Sequence, residues 1–275
     1  MSKHNIEVLE NNRFQFGKNW SLFFKLVNEE RILEAQKSLL TMLNVENLHG
    51  KKFLDIGCGS GLFSLAASRL GAEVFSFDYD PESVACTRMM KRKFFPENQS
   101  WIIEEGSILD NDYMASIGNY DIVYSWGVLH HTGSMWKAIE NATMCLSKKG
   151  MIYIAIYNDQ KNLSIYWRSV KRIYNKSPRL IKLFISAIYY VYFFTLLLVA
   201  DLVRRRNFLD RLKGNKRRGM SLYRDVVDWV GGYPFEVSTP EKILSFFVDK
   251  GLVMTNLKTV QGKHGCNEFV FEKKN

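Results

Sequence analysis

The spacing of hydrophobic positions divides the chain into a helical beginning, a stretch of alternating strands and helices, and one long apolar run. Over residues 6 to about 48, apolar side chains recur at helical spacing among charged ones, which is typical of amphipathic helices. Short apolar runs bounded by glycine or polar residues predict strands at 51–57, 72–78, 101–104, 120–125, 151–157, 251–260 and 267–272. Helical spacing predicts further helices at 62–70, 81–95, 135–146 and 240–250.

Strands that alternate with helices imply parallel β-α units whose sheet is covered on both faces. We therefore predict an α/β fold with a doubly wound, seven-stranded and mostly parallel sheet. The chain shows no internal repeat and no low-complexity linker, so we predict a single domain over residues 1–275. Its predicted parts are an N-terminal helical cap (1–48), a core (49–160), an insert (161–218) and C-terminal strands (219–275).

The long apolar run, residues 183–200, consists of 18 residues without a charge. Such a run is long enough to be considered a transmembrane helix, although at 1.5 Å per residue it reaches only ~27 Å of a ~30 Å bilayer core. A crossing would also separate the last two strands from the rest of the sheet and leave an unpaired sheet edge. We therefore predict that the insert anchors the chain without crossing the membrane.

Charge supports a membrane role for the insert. Residues 161–218 hold fifteen Lys or Arg and two Asp, a net charge of +13, whereas the whole chain carries +10 and the remainder is therefore −3. Basic clusters flank the apolar run on both sides, which favours both ends staying cytoplasmic. The flanking residues are Lys171, Arg172, Lys176, Arg179, Lys182, Arg204, Arg205, Arg206, Arg211 and Lys213.

Cations around an apolar run indicate binding to an anionic membrane surface, here through residues 180–206. Three arrangements remain open: a bent or re-entrant pair in one leaflet, a segment in the interface, and a homodimer contact through the insert. The N-terminus lacks the apolar core of a signal peptide, and the four cysteines form no C-x-x-C pair. We expect a cytoplasmic protein peripheral to the inner face of the membrane.

A glycine-rich loop separates the first predicted strand from the following helix. It reads Asp55-Ile-Gly57-Cys58-Gly59-Ser-Gly61, where missing Cβ atoms allow a ligand to approach the backbone closely. The spacing differs from the G-x-G-x-x-G dinucleotide motif, and no Gly-Lys-Ser/Thr ending of a phosphate loop follows. Asp78 ends the next strand, where a carboxylate can accept hydrogen bonds from two ribose hydroxyls.

These residues resemble motif I and its acidic follower in the class I S-adenosylmethionine-dependent methyltransferases. The segments Gly106-Ser-Ile-Leu-Asp110, residues 120–131 and Leu146-Ser-Lys-Lys-Gly150 agree with later motifs of that family. The resemblance covers residues 48–158 closely, and it is strongest to the ubiquinone-biosynthesis O-methyltransferase type. It implies S-adenosylmethionine as the cofactor and the core, 49–160, as its binding region.

The resemblance also implies roles for individual positions. Gly57, Cys58, Gly59 and Gly61 would pass the amino-acid portion of the cofactor, with Asp55 near its ammonium group. Asp78 would hold the ribose hydroxyls, Tyr79, Ser107 and Ile108 would lie beside the adenine, and Trp126 would lie near the methionine portion. Four N-terminal residues either close over the cofactor or serve ordinary packing and surface charge: Phe14, Trp20, Arg31 and Lys37.

Methyl transfer from a sulfonium depends mainly on positioning, but a hydroxyl acceptor also benefits from a base. His130 and His131 follow the fourth predicted strand, at the sheet edge where α/β proteins bind ligands. We predict His131 as the base and expect one of the pair to pack structurally. Ubiquinone-type relatives carry two metal-binding glutamates here; Gly127 and His130 stand in their places, so no metal site is predicted.

The acceptor-side candidates follow the fifth strand and the insert. They mix aromatic, acidic and amide side chains, which suits a sugar-binding site and equally suits a loop with a capped turn. These residues are Tyr157, Asn158, Asp225, Trp229, Tyr233, Glu236 and His264, with Asp228 beside them.

Three functions remain in view. The first is O-methylation of a lipid-linked acceptor, a glycan or a polyprenyl aromatic, or of a small molecule at the cytoplasmic membrane face. The second is RNA methylation with the basic insert gripping phosphates, although no base-flipping or RNA-binding motif is visible. The third is a non-catalytic scaffold of the same fold, which the intact glycine loop and Asp78 disfavour.

Overall fold

The computed structural model describes residues 2–24, 26–204 and 222–274. The strands are β1 (Lys52–Ile56), β2 (Glu73–Asp78), β3 (Trp101–Glu105), β4 (Tyr120–Trp126), β5 (Leu146–Tyr157), β6 (Leu252–Lys258) and β7 (Cys266–Lys273). The helices are α1 (Lys3–Leu9), α2 (Gly17–Phe24), α3 (Glu29–Leu43), α4 (Leu62–Arg69), α5 (Pro81–Phe94), α6 (Asn111–Ser116), α7 (Met135–Met144), α8 (Asn162–Lys176), α9 (Arg179–Val203), α10 (Leu222–Gly231) and α11 (Pro240–Asp249), with a 3₁₀ turn at Leu129–His131.

All seven strands form one sheet in the order β3-β2-β1-β4-β5-β7-β6. Strands β1 to β5 are parallel, and β7 runs antiparallel to both of its neighbours. The predicted α/β fold with a seven-stranded, mostly parallel sheet is confirmed. The strand order reverses between β1 and β4, and such a switch point opens a crevice at the carboxyl ends of the strands.

Alternation along the strands builds a core on each face of the sheet. Leu54 packs in the cluster that includes Phe247 and Phe271, whereas its neighbour Phe53 packs with Leu39 of α3 and other residues on the opposite face. Successive side chains of a strand point to opposite faces, so apolar strands require helices on both sides. The two layers hold the carboxyl ends of β1, β2 and β4 in fixed positions.

The predicted strand boundaries are close to those observed, except at β5. That strand begins at Leu146, whereas the sequence predicts its start at 151, after Gly150. The pairing between β4 and β5 shifts register between Tyr120 and Ile122, and this irregularity lets the strand extend past the glycine. The helices α6, α8 and α10 were not predicted as separate elements.

The insert contains a helical pair, α8 and α9, packed with α10 around Trp167, Tyr174 and Phe235. Helix α9 is continuous over 25 residues, or about 37 Å, and contains the whole apolar run 183–200. By length and composition α9 could cross a membrane, and only 6% of its most apolar window is buried. Strands β6 and β7, which follow it, lie in the same sheet as β1 to β5.

The structure corrects one residue of the predicted basic flanks. Lys171 is fully buried between α8 and α10, so it cannot face a membrane surface as the charge pattern suggested. The predicted flanking residues Arg205, Arg206, Arg211 and Lys213 lie outside the described residues.

Candidate cofactor and acceptor site

A cavity of about 560 Å³ lies at the carboxyl ends of β1, β2 and β4. Its walls come from the glycine loop after β1, the ends of β2 and β4, the segment after β3, and the N-terminal segment that covers them. Nine of the ten predicted cofactor residues line it: Asp55, Gly57, Cys58, Gly59, Asp78, Tyr79, Ser107, Ile108 and Trp126. Gly61, which caps the start of α4, does not.

Close packing explains the glycines of the loop after β1. Gly57 has φ +76°, and a Cβ there would lie 2.4 Å from Cγ1 of Val128. Gly59 has φ +53°, and its Cβ would lie 3.0 Å from the indole of Trp20. The loop is therefore held between the segment after β4 and helix α2. A side chain at Gly57 or Gly59 would collide with Val128 or Trp20.

Gly57→Ala is expected to lower the free energy of unfolding by about 1 to 3 kcal/mol more than Gly118→Ala does. Both glycines have positive φ, but a Cβ at Gly118 has no neighbour within 4 Å, so the difference measures the collision with Val128. Urea unfolding of the cofactor-free variants tests this. Equal losses in the two variants would show that Val128 moves aside freely.

Two carboxylates lie beside the glycine loop, that of Asp55 buried and that of Asp78 partly buried. Asp78 accepts hydrogen bonds from the backbone N–H of Gly59 and of Asp80, each at 2.9 Å, and burial raises its pKa to about 6. Asp55 accepts a short hydrogen bond from the Ser64 hydroxyl, and burial raises its pKa to about 7. Both groups are thus desolvated acceptors that an incoming donor or cation would stabilise.

The wall beyond Asp78 combines aromatic and apolar side chains. The Tyr79 hydroxyl donates to Glu7 at 3.0 Å, and Ile108 is buried with one face on the cavity. The Ser107 hydroxyl accepts from the backbone N–H of Leu109, while Trp126 is exposed at the cavity rim. The structure thus brings together the positions that the family resemblance grouped around an adenosine.

The N-terminal segment covers the cavity through contacts that the sequence did not reveal. Arg13 donates to Glu7 at 2.6 Å and to the backbone carbonyl of His131 at 2.9 Å, and its guanidinium lies 4.9 Å from the centre of the Tyr79 ring. The backbone N–H of Gly17 donates to Asp80 at 2.8 Å. Of the four N-terminal candidates, Phe14 and Trp20 line the cavity, whereas Arg31 and Lys37 do not.

His131 lies in the cavity wall with a defined tautomer. Its Nδ1 is 2.6 Å from the carbonyl oxygen of Pro234, so this nitrogen carries the proton and Nε2 keeps a free lone pair. Burial, followed by the charge of Lys171, lowers the pKa of His131 to about 3, which keeps the ring neutral. The ring centre lies 5.0 Å from that of Phe16.

His130 is placed differently. It is fully buried, its ring lies 3.9 Å from that of Tyr157, and it does not belong to the cavity lining. Its Nδ1 accepts from the backbone N–H of Tyr157, while Nε2 has no hydrogen-bond partner among the described residues. The structure gives His130 a packing position.

The acceptor-side candidates divide into two groups. Tyr157 and Asp228 line the cavity near His131, together with Cys266. Asn158 bonds to Asn267 and the Lys263 carbonyl, and Glu236 accepts from the N–H of Met135 at the start of α7, so the fold uses their polar atoms. The other candidates lie outside the lining: Asp225, Trp229, Tyr233 and His264.

No cluster of His, Cys, Asp and Glu that could hold a metal ion is found within the described residues. The cysteines there are free, and burial raises the pKa of the Cys58 thiol at the cavity wall.

Comparison with known proteins relates the chain to methyltransferases. Residues 47–216 match the family model described as a methyltransferase domain. The chain is 29% identical over 130 residues to ribosomal protein L11 methyltransferase of Helicobacter hepaticus, covering 43% of this chain and 40% of that protein. It is 24% identical over 161 residues to ubiquinone biosynthesis O-methyltransferase of Haemophilus ducreyi, covering 56% and 66%. The matches thus span less than two thirds of these relatives.

Solved structures share the fold. Magnesium protoporphyrin IX methyltransferase from Synechocystis PCC 6803, with bound SAH, matches with a TM-score of 0.51 and 14% identity over 90% of this chain and 89% of that one. An O-methyltransferase family protein from Burkholderia thailandensis matches with a TM-score of 0.53 and 12% identity over 89% and 57%.

Proposed function

Because the chain belongs to the class I S-adenosylmethionine-dependent methyltransferases, we propose that it methylates an oxygen atom of a lipid-linked acceptor at the cytoplasmic surface of a membrane. Its cofactor is S-adenosylmethionine. The observation that carries the proposal is an exposed apolar helix, α9, packed beside the end of the cavity that contains His131.

The cavity fits this cofactor. Gly57 and Gly59 line the cavity, and their missing Cβ atoms let Val128 and Trp20 pack against the loop that would pass the amino-acid portion. Asp55 offers a buried carboxylate for the ammonium group, and Asp78 offers two oxygens for ribose hydroxyls. Ile108 and the Tyr79 ring supply apolar surface for the adenine.

When bound, the cofactor supplies a methyl group on a sulfonium that is already a good leaving group. The protein has to align the acceptor oxygen with that group and remove the acceptor's proton. His131 suits the second task, because the Pro234 carbonyl holds Nδ1–H and leaves Nε2 to accept a proton. The neighbouring Phe14 and Phe16 rings give this end of the cavity an apolar wall.

The outer face of α9 supports a membrane location. Six of its exposed apolar residues lie three, four or eight positions apart and form one stripe: Leu180, Phe184, Ile188, Val191, Val199 and Leu202. Exposed cations lie near it on α8 and at the helix ends, namely Arg168, Arg172, Lys176, Arg179 and Arg204. A stripe of this size between cations suits an anionic membrane surface.

The inner face of α9 is continuous with the cavity wall. Ile185, Tyr189 and Phe193 pack in the cluster that also contains Phe14 and Tyr157, which both line the cavity. The surface that would contact lipid and the surface that would contact the acceptor therefore belong to one packed unit. This continuity favours an acceptor delivered from the membrane.

Phe184→Glu together with Val191→Glu is expected to weaken binding to anionic vesicles at least ~100-fold, since each large apolar side chain contributes roughly 1.5–3 kcal/mol on burial. These side chains are 68% and 62% exposed, so the substitutions leave the protein core intact. Flotation with vesicles of phosphatidylcholine and phosphatidylglycerol measures the effect.

Leu33→Glu with Met144→Glu is the matched control, because these side chains are 61% and 58% exposed but lie on α3 and α7. The control should float like the wild type. If the wild-type protein stays with the soluble fraction, the membrane part of the proposal is removed, while methyl transfer to soluble acceptors remains to be measured separately.

A further inference from the structure

A second cavity, of about 340 Å³, opens at the N-terminal end of α9. Helix α9 contributes Arg179, Lys182, Leu183 and Ser186, which lie on one face because they are three, four and seven positions apart. The remaining lining residues come from α2, α8 and α10: Asn19, Tyr174, Tyr223 and Val227.

The lining is suited to an anion. Two of its side chains are cationic, three carry hydroxyls, and none of the described residues that line it is acidic. Lys182 donates to the neutral side chain of Asn11 at 3.1 Å, and burial lowers its pKa. A partly buried ammonium without an acidic neighbour in the cavity is stabilised when an anion enters. The Ser186 and Tyr174 hydroxyls are buried and 3.4 Å apart.

This cavity adjoins the methyl-transfer cavity through one pair of side chains. Asn19 lines the second cavity and donates a short hydrogen bond to Oδ1 of Asp228, and Asp228 lines the first. The two cavities therefore meet at this hydrogen-bonded pair, and Asp228 lines the same cavity as His131.

The cavity also opens onto apolar surface. Leu183 is part of its lining and is exposed, while Leu180 and Phe184 on either side belong to the apolar stripe of α9. A single molecule with an anionic group and a hydrocarbon chain matches this neighbourhood of cations and apolar side chains.

We propose that Arg179, Lys182 and the hydroxyls around them bind the phosphate group of the lipid that carries the acceptor. The inference rests on the proposed function and narrows it. A lipid whose head is joined through phosphate fits the second cavity, whereas an uncharged polyprenyl aromatic offers its two cations no anionic partner. The phosphate lies in the second cavity, the chain along α9, and the group to be methylated in the first cavity.

Geranyl phosphate, geraniol and inorganic phosphate are the probes, with binding measured by calorimetry on the full chain. The wild type is expected to bind geranyl phosphate at least about tenfold more tightly than either other probe, because a charge-assisted hydrogen bond adds about that factor. Arg179→Gln with Lys182→Gln should lose this preference. Arg172→Gln with Lys176→Gln removes the same charge from exposed positions of α8 outside the cavity and should keep it within about twofold.

Three results overturn the assignment. Equal affinity for geraniol and geranyl phosphate excludes a phosphate site, and equal affinity for inorganic phosphate and geranyl phosphate excludes a lipid phosphate. An equal loss in the α8 variant attributes binding to diffuse charge. Calorimetry with S-adenosylmethionine on the same samples keeps the two proposals apart, because failure of the proposed function appears as absent cofactor binding or absent methyl transfer to membrane lipids.

Discussion

Replacing His131 with asparagine is expected to lower kcat for methyl transfer about 100-fold or more, the usual contribution of a general base. The asparagine amide can still donate to the Pro234 carbonyl in place of Nδ1–H, but nothing replaces Nε2 as the proton acceptor. Affinity for S-adenosylmethionine should change little, because the carboxylates and the glycine loop remain. Radiolabelled methyl transfer to membrane lipid extracts gives kcat, and calorimetry gives the affinity.

His130→Phe is the matched control. The phenyl ring keeps the packing against Tyr157, 3.9 Å away, and removes a buried Nε2 that has no partner among the described residues. Its activity should stay within severalfold of the wild type. His131 is not the base if His131→Asn keeps the full kcat. The same conclusion follows if His130→Phe lowers kcat as much as His131→Asn does.

The lowered pKa of His131 can be tested separately through the pH dependence of the unfolding free energy. Its folded-state pKa of about 3 lies below the ordinary value of 6.5, so its contribution to stability is present above pH 6.5 and is lost as pH falls towards 3. His131→Asn should therefore lose less unfolding free energy than the wild type between about pH 6.5 and 4. Urea unfolding across that range, with His130→Phe alongside, measures the difference.

Local sequence signals predicted the sheet and the cofactor loop because both depend on neighbours in the chain. Apolar strands and the spacing of Gly57, Gly59 and Gly61 determine where the backbone can turn and approach a ligand. Asp78 followed from its position at a strand end, and its side chain indeed contacts the Gly59 backbone. Parallel topology then brings successive strand ends together at one edge of the sheet.

Contacts between distant segments could not be predicted from the sequence. Arg13 reaches the His131 carbonyl from 118 positions away, and nothing in an amphipathic helical pattern distinguishes it from other surface cations. The sequence predicted Lys171 as part of a basic flank. Its ammonium group instead donates to the backbone carbonyl of Trp229 and lies 3.8 Å from the centre of the Trp229 ring. Periodicity identifies a buried face, but not which distant segment covers it.

Asp78→Asn is expected to weaken S-adenosylmethionine binding about 100-fold. Asp78 accepts from two backbone N–H groups and has further lone pairs for ribose hydroxyls. The amide replaces one acceptor oxygen with an NH2 donor. In one orientation this donor faces the backbone N–H of Gly59 or Asp80, and in the other it faces the ribose, so an acceptor is lost either way. Hydrogen bonds to a charged group contribute about 1.5–3 kcal/mol each, so losing one or two accounts for the expected factor. Calorimetry with the cofactor measures it.

Loss of binding in this variant should not come from unfolding. Burial raises the folded-state pKa of Asp78 from 3.8 to about 6, so its contribution to stability is fully present below pH 3.8 and is lost as pH rises through 6. At pH 8 the cofactor-free protein holds an unfavourably buried carboxylate, which the amide removes. The variant's unfolding free energy at pH 8 should equal that of the wild type within about 1 kcal/mol or exceed it.

Glu105→Gln separates the role of Asp78 from that of negative charge at the same sheet edge. Glu105 is the register partner of Asp78 on β3, but its side chain is exposed and lies outside the cavity lining. Its replacement should leave cofactor affinity within about twofold, because exposed charges interact weakly across solvent. If both variants lose affinity equally, the effect is general electrostatics. If Asp78→Asn alone loses affinity while remaining folded at pH 8, the Asp78 carboxylate is the group that holds the cofactor.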